Sequence, residues 1–280
     1  MTFGLALLER LDGDVVLSPY GLARALRIIP EAGVPDVPDV PGILSAQAAW
    51  LASGYRPGPK LTLDPGPLDL DAINAWSNEH TRGMIPRILE ALDDDEIFVL
   101  TDAEYLDAKW QVPFEDTFPA PFEGAGDVSM MSVDGTFDYG DGAIRLPYRE
   151  HDLRFVAMLG EWREVSWSRG YGEVRLPRFT TTSSLELDRL LGISGISLDG
   201  LIEGPDETVL GRVLQRARVD VDEEGTRAAA TTAVTARAVA YVEPTFKIVF
   251  DRPFTWAVEH APSGTLLFVG RVRNPTERSD

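Results

Sequence analysis

The stretch from Val219 to Val239 (Val-Asp-Val-Asp-Glu-Glu-Gly-Thr-Arg-Ala-Ala-Ala-Thr-Thr-Ala-Val-Thr-Ala-Arg-Ala-Val) constrains this chain more than any other. It opens as an alternation, with Val219 and Val221 apolar and Asp220 and Asp222 polar, the period of a half-buried strand. Glu223, Glu224 and Gly225 then lead into a run of small and β-branched residues. From Thr226 onward the two period-2 sets differ. Thr226, Ala228, Ala230, Thr232, Val234, Ala236 and Ala238 carry no charge, whereas the alternate set holds Arg227 and Arg237 beside Ala229, Thr231, Ala233, Thr235 and Val239. A strand built from the run buries the first set and shows its arginines to solvent. Alanine also favours helix, and the β-branched residues oppose it. Strand, helix and surface linker all remain open on pattern alone.

Other motifs supply what periodicity does not. Glu223-Glu-Gly-Thr-x-Ala-Ala-Ala-Thr231 resembles the hinge of the serpin reactive-centre loop. Phe250-Asp-Arg-Pro-Phe254, Leu267-Phe-Val-Gly-Arg271 and Asn274-Pro275 resemble the serpin C-terminal signature. The resemblance runs from about Phe3 to Pro275 and implies a single α+β domain over 1–280. It implies a large mixed β-sheet, helices, and a mobile reactive-centre loop at about 223–245.

Composition fits and excludes. At 280 residues, 44% hydrophobic and 25% charged, the chain has ample length for a sizeable core. A net charge of −19 repels nucleic-acid phosphates, so no nucleic-acid partner is expected. The absence of cysteine excludes disulfides and thiol chemistry. Met1 to Arg10 lacks the basic start of a signal peptide, so a cytoplasmic location is expected, with secretion by another route as the alternative. No apolar run reaches membrane-spanning length, and no membrane partner is expected. His80, His151 and His260 show no metal-ligand spacing, and no nucleophile-elbow, phosphate-loop or dinucleotide fingerprint is present. No enzyme, metal or cofactor is expected.

In chain order, helical spacing predicts a helix over 3–11, a strand over 15–17 and a helix from Pro19 to about Ile29 with Ser18 as its N-cap. The resemblance places Ser18 and Pro19 beneath the point where the main sheet parts, with Gly21 where the family usually has a second serine. Pro30 to Pro41 is a proline-rich connector where the family has two further helices. The helix that binds activating glycans is among what is missing, so no heparin-like cofactor site is expected. A strand over 44–53, a helix over 70–92 and a long strand over 97–110 follow. The second of these resembles the helix that crosses the main sheet, and the third ends in Trp110 at the top of its opening. Asp93 to Glu96 reads as a solvated helix end in preference to a metal site. Strands are expected at 128–131, 136–139, 143–148, 153–159 and 173–179, with 160–172 shorter than in the family. A short helix over 185–191, a strand over 210–219 and strands at 245–250, 255–258 and 266–272 complete the reading.

The resemblance assigns roles residue by residue. Arg178 pairs with the hinge residue Glu223. Asp102 and Gln215 replace the asparagine and histidine of the family's gate, and glutamine can still donate to a carboxylate. Gly225, Thr226, Ala228, Ala229, Ala230 and Thr231 form the hinge. Fourteen residues beyond Gly225 places the reactive bond at Val239-Ala240, with Arg237 and Tyr241 as alternatives. The implied activity is suicide-substrate inhibition of an elastase-like or subtilisin-like serine protease by a monomeric inhibitor. The cleaved loop enters the sheet as a strand and traps the acyl-enzyme. A non-inhibitory serpin-fold binding protein is the alternative.

Overall fold

The computed structural model of the protein describes residues 2–41, 44–150, 152–205, 207–226 and 243–276. Helix α1 (Phe3–Leu8), strand β1 (Val15–Leu17) and helix α2 (Pro19–Leu26) open the chain. Strands β2 (Leu44–Leu51), β3 (Arg56–Pro57) and β4 (Gly66–Pro67) precede helix α3 (Leu70–His80). Strands β5 (Phe98–Tyr105), β6 (Ala108–Lys109), β7 (Asp116–Phe122) and β8 (Gly126–Gly140) follow. Next come β9 (Ala143–Pro147), β10 (Leu153–Leu159), β11 (Ser168–Pro177) and β12 (Phe179–Glu186). Helix α4 (Leu187–Leu191) and strand β13 (Ile202–Glu203) lead to β14 (Arg212–Val221) and β15 (Gly225–Thr226). Strands β16 (Phe246–Val249), β17 (Phe254–His260) and β18 (Thr265–Val272) close the chain.

These strands form two main sheets. One runs β1-β18-β17-β10-β9-β8-β11-β16, with β7 beside β8; the other runs β4-β2-β5-β14-β15-β6, with β12 beside β14. In the second sheet β5 and β14 are parallel, in register from Val99↔Arg212 to Ala217↔Glu104. The other neighbours of these two strands, β2 and β12, are antiparallel to them. Both faces of that parallel seam are covered. Leu22 and Leu26 of α2 share one apolar cluster with Leu100 and Val213. On the opposite face Ile73 of α3, with Ile85, Ile88 and Leu89, shares another with Trp50, Val99 and Leu214. Burial on both faces explains why Val213, Leu214 and Gln215 are buried in succession, whereas 217–221 alternates.

Several elements differ from the sequence expectation, each for a local reason. Helix α1 tightens after Leu8 into three-residue hydrogen bonds, Arg10 N to Leu7 O at 3.0 Å, and α2 does the same before Pro30. Helix α3 stops at His80 and not Leu92, because Arg82 and Gly83 turn the chain at positive φ. Asn74 then holds the returning segment: its Oδ1 accepts from Ile88 N at 2.9 Å and its Nδ2 donates to Leu89 O at 2.9 Å. The strand expected over 97–110 breaks between Tyr105 and Ala108, and the two expected over 128–139 are one continuous β8. Strand β7 has no counterpart in the sequence reading. Its Pro119 and Pro121 disfavour a central strand, and they suit one that pairs on one side only. Glu96 is not a solvated helix end: its side chain is only 6% exposed and forms a bidentate ion pair with Arg212 at the start of β14.

Candidate functional site

The seam between β5 and β14 gives the site its plan. Below Glu104 and Ala217 the two strands are bonded directly; above, they diverge and β15 occupies the gap. Thr226 pairs antiparallel with Val221 of β14 on one side and with Ala108 of β6 on the other. Gly225 lies opposite Lys109, where a Cβ would collide with the Ala108 carbonyl oxygen, so only glycine permits this approach.

A tight turn delivers the chain into the gap. Asp222 Oδ1 accepts from Glu224 N at 2.9 Å and Gly225 N at 3.1 Å, and Asp222 N donates to Gly225 O. Trp110 holds the turn from above, its Nε1 donating to Asp222 O at 2.8 Å and its backbone N to Glu224 O at 2.9 Å. The indole is stacked on Tyr148 at 4.6 Å, and the Tyr148 hydroxyl hydrogen-bonds the Thr226 hydroxyl. Burial pushes the Tyr148 phenol far up, so it stays protonated and available to that bond. Thr226 is 1% exposed, so the hinge already has its first two residues, Gly225 and Thr226, in the sheet.

Glu223 is clamped at the outer end of the turn. Arg178 and Thr117 donate to its carboxylate, and its carbonyl accepts from Phe114 N at 2.9 Å. Burial alone would raise this carboxyl's pKa. The hydrogen bonds from Thr117 and Arg178 outweigh it and hold the group below its ordinary value.

The lower end of the seam is dry and polar. Gln215 of β14 donates from Nε2 to Asp102 Oδ2 at 2.7 Å across the seam and to Ser18 O at 2.9 Å, while its Oε1 accepts from Ser18 N at 2.8 Å. Asp102 Oδ1 accepts from Gln47 Nε2 at 2.9 Å. Ser18 Oγ caps α2 by accepting from Gly21 N at 3.0 Å, and Pro19 occupies the first helical position. The same Oγ lies 2.6 Å from Glu104 Oε2 and 2.7 Å from the Leu267 carbonyl oxygen. Asp102 and Glu104 are each 1% exposed. Burial pushes the Asp102 carboxyl up to about 6 against the amide hydrogen bonds and the field of Arg24. Gly21 makes room for both: a Cβ there would collide with Asp102 Oδ2 and Glu104 Oε1 together.

Comparison with known proteins agrees with this plan. The family described as Serpin (serine protease inhibitor) matches residues 63–275. The chain belongs to the serpin family. A leukocyte elastase inhibitor of Bos taurus is 32% identical to it over 249 residues, 72% of this chain and 66% of that relative. The match thus stops just short of two thirds of the relative's length. Two solved structures share the fold. A thermophilic serpin, tengpin, in its native state has a TM-score of 0.84 at 19% identity, over 97% of this chain and 92% of that one. Thyroxine-binding globulin in complex with thyroxine has a TM-score of 0.80 at 17% identity, over 98% of each chain.

The sequence-derived residues of this serpin fall into two groups. Trp110, Arg178, Glu223, Gly225 and Thr226 meet at the upper end of the seam, and Ser18, Pro19, Asp102 and Gln215 at the lower end. Ala228, Ala229, Ala230, Thr231, Arg237, Val239, Ala240 and Tyr241 lie outside the described residues. Sequence reasoning missed Glu104, Gln47 and Thr117, and read Tyr148 only as the end of the strand expected over 143–148. The period-2 spacing of Asp102 and Glu104 on one strand was the available signal for Glu104.

Proposed function

We propose that this serpin is a suicide-substrate inhibitor of serine proteases with an elastase-like or subtilisin-like preference. The observation that carries this reading is the hinge, Gly225-Thr226, already laddered between β14 and β6 at the head of a parallel seam. Residues 227–239 need only continue the same path, separating β5 from β14 as they enter. Each added backbone hydrogen bond contributes roughly 0.5–1.5 kcal/mol, so thirteen further residues supply on the order of 10 kcal/mol. The intact form then persists because of a barrier, and its lifetime is a rate. Cleavage at Val239-Ala240 frees the strand while the protease is held as the acyl-enzyme, and insertion drags it along the sheet. A cut at Arg237 shortens the tether by about 7 Å, two strand residues, which favours Val239 over the trypsin-like site.

The test is incubation with an elastase-like protease, followed by denaturing electrophoresis and mass spectrometry of the released C-terminal fragment. A denaturation-resistant covalent complex with a fragment beginning at Ala240 is expected. A fragment beginning at Ala238 or Val242 moves the reactive bond, and clean cleavage without a complex removes the inhibitory reading.

One observation favours the second reading, a non-inhibitory binding scaffold. A groove of about 1180 Å³ lies where the segment after β10 runs over the sheet's outer face, lined by Val156, Met158, Leu266, Trp162, Trp167 and Arg145. The Arg145 guanidinium sits 3.9 Å above the Trp167 ring, and its Nε has no hydrogen-bond partner among the described residues. An anionic aromatic molecule suits that chemistry. Saturable quenching of tryptophan emission by thyroxine, in a protein that forms no protease complex, is the result this reading expects.

A further inference from the structure

On the outer face of the first sheet one cation is left over. Arg145 of β9 lies in register with Asp138 of β8 on one side and with Val156 of β10 on the other. Asp138 already accepts from Arg169 of β11 at 2.9 Å. The other carboxylate that acts on Arg145, Glu259 of β17, is held in a bidentate pair by Arg154 at 2.9 and 3.0 Å. Arg145, Arg154 and Arg169 thus share two carboxylates, and both are taken. The Arg145 guanidinium hydrogen-bonds no other described residue, and its Nε is buried. A spare cation is not what a net charge of −19 would suggest.

The surroundings make that cation an unfinished contact. Burial, and after it the field of Arg154, pushes the Arg145 guanidinium below its ordinary pKa, against the attraction of Glu259 and Asp138. Its close neighbour is Trp167, whose ring centre lies 3.9 Å from Cζ. With the indole over one face of the guanidinium, a further partner has to meet its N–H edge. That edge is a fork of donors matched to two oxygens of one carboxylate or sulfonate. Arg163 and Arg271 also line the groove, but they are engaged, donating to Leu159 O and Leu8 O at 2.9 Å each.

Beside this edge the groove is apolar. Val156 and Met158 are buried with Ala143 and pack against Trp162, Val165 and Trp167 of the segment between β10 and β11. Both tryptophans are half-buried and line the groove, so they offer ring surface to a flat molecule. We infer that this end of the groove binds a small aromatic monoanion, its carboxylate or sulfonate on Arg145 and its ring against Trp162 and Trp167. One spare cation selects one negative charge. A second charge on the ligand would meet Glu161, Glu164 and Glu259, which also line the groove. The inference rests on the binding-scaffold reading above only for the groove itself, and it holds whether or not the protein traps a protease.

The test uses the whole protein and two probes built on one frame, anilinonaphthalenesulfonate and its uncharged analogue phenylnaphthylamine. Binding is followed by energy transfer from tryptophan. One saturable site is expected, with the charged probe bound at least about tenfold more tightly, the effect of one charge-assisted contact. Arg145→Gln should erase that preference and leave the affinity for the uncharged probe unchanged, which also shows that the variant's groove is intact. Arg145→Lys keeps the charge without the fork and should restore part of the preference. Trp167→Phe should lower the energy transfer. No saturable binding, equal affinity for the two probes, or a preference that survives Arg145→Gln would each overturn the inference. So would loss of both probes in that variant, or energy transfer untouched by Trp167→Phe. A protein that traps a protease and still binds the charged probe keeps this inference and removes only the non-inhibitory part of the scaffold reading.

Discussion

The two ends of the seam are both polar and both hold β14 to its surroundings, but they are built on opposite electrostatics. At the upper end one carboxylate, Glu223, is partly solvated and surplus donors surround it, Arg178 and Thr117. At the lower end two carboxylates, Asp102 and Glu104, are each 1% exposed and meet neutral partners, the amides of Gln47 and Gln215 on the first and the Ser18 hydroxyl on the second. The first is a clamp that acid loosens, whereas burial raises the Asp102 carboxyl at the second, so mild acid favours the folded form there. A loop inserting as proposed above would meet both, the clamp beside its first residue and the buried carboxylates farther along its path.

The largest effect that would break this contrast comes from a charge at the hinge. Thr226→Arg places a guanidinium at a residue that is 1% exposed beneath Tyr148. An uncompensated buried charge costs about 3–5 kcal/mol, so β15 is expected to leave the sheet. The resting protein should lose stability and Trp110 emission should shift as its turn contacts dissolve. Inhibition should give way to substrate turnover, with the partition ratio rising at least tenfold. A variant that traps protease with unchanged stoichiometry would sink the insertion pathway.

Next in size is the pH dependence of stability set by Asp102. Its native carboxyl, at about 6, lies above its ordinary 3.8. Between those values the native state keeps a proton that the unfolded chain has lost, so stability against unfolding rises as pH falls through the window. The full gain is about 3 kcal/mol, order of magnitude only. Urea denaturation at closely spaced pH values measures it, and Asp102→Asn should flatten the curve. Glu223 acts with the opposite sign below its ordinary value of 4.5, where its contribution is lost as it protonates. The two effects meet near pH 4, and a stability maximum is expected close to there. A curve that climbs steadily from pH 4 to 7 would show that Asp102 is ionised without penalty.

A smaller steric probe sharpens the same comparison. Gly21→Ala adds a methyl against Asp102 Oδ2 and Glu104 Oε1 without adding a donor. Overpacking of this kind costs roughly 1–3 kcal/mol. The loss should appear in thermal unfolding while the upper clamp is untouched. No loss at all would mean that the carboxylates move apart freely and do not share a site.

How much of this was legible in the sequence follows the physics of each part. The alternation over 217–221, the N-cap Ser18 with Pro19, and the strand at 153–159 depend on local pattern and could be read directly. The Arg178–Glu223 and Asp102–Gln215 contacts join residues 45 and 113 positions apart; they came from family resemblance, because no periodicity links them. Glu104 escaped because an exposed and a buried carboxylate look alike in sequence; only α2 and β18 closing over it make it buried. Strand β7 escaped because edge pairing overrides the poor strand propensity of its prolines. The early end of α3 reflects Asn74 capturing a returning segment fourteen residues away, a tertiary contact that no propensity encodes.

The smallest effect is expected at the upper clamp itself. Arg178 has 55% of its side chain exposed, against 23% for Glu223, so the cation of the pair lies largely in solvent. Exposed ion pairs contribute about 0–1 kcal/mol and are screened by salt. Arg178→Ala also leaves Glu223 two anchors, the Thr117 hydroxyl on its carboxylate and Phe114 N on its carbonyl. The turn should therefore persist, with a stability loss below about 1 kcal/mol at neutral pH that shrinks further in high salt. The pH profile should respond more clearly than the magnitude. Removing a donor lets the Glu223 carboxyl drift back toward 4.5, so the acid loss of hinge stability should begin at a higher pH than in the unmodified protein. Trp110 emission followed through an acid titration reports this, since its indole donates to the carbonyl beside Glu223. A salt-independent loss of 2 kcal/mol or more would mean that the clamp is effectively dry. The contrast between the two ends of the seam would then be one of position alone.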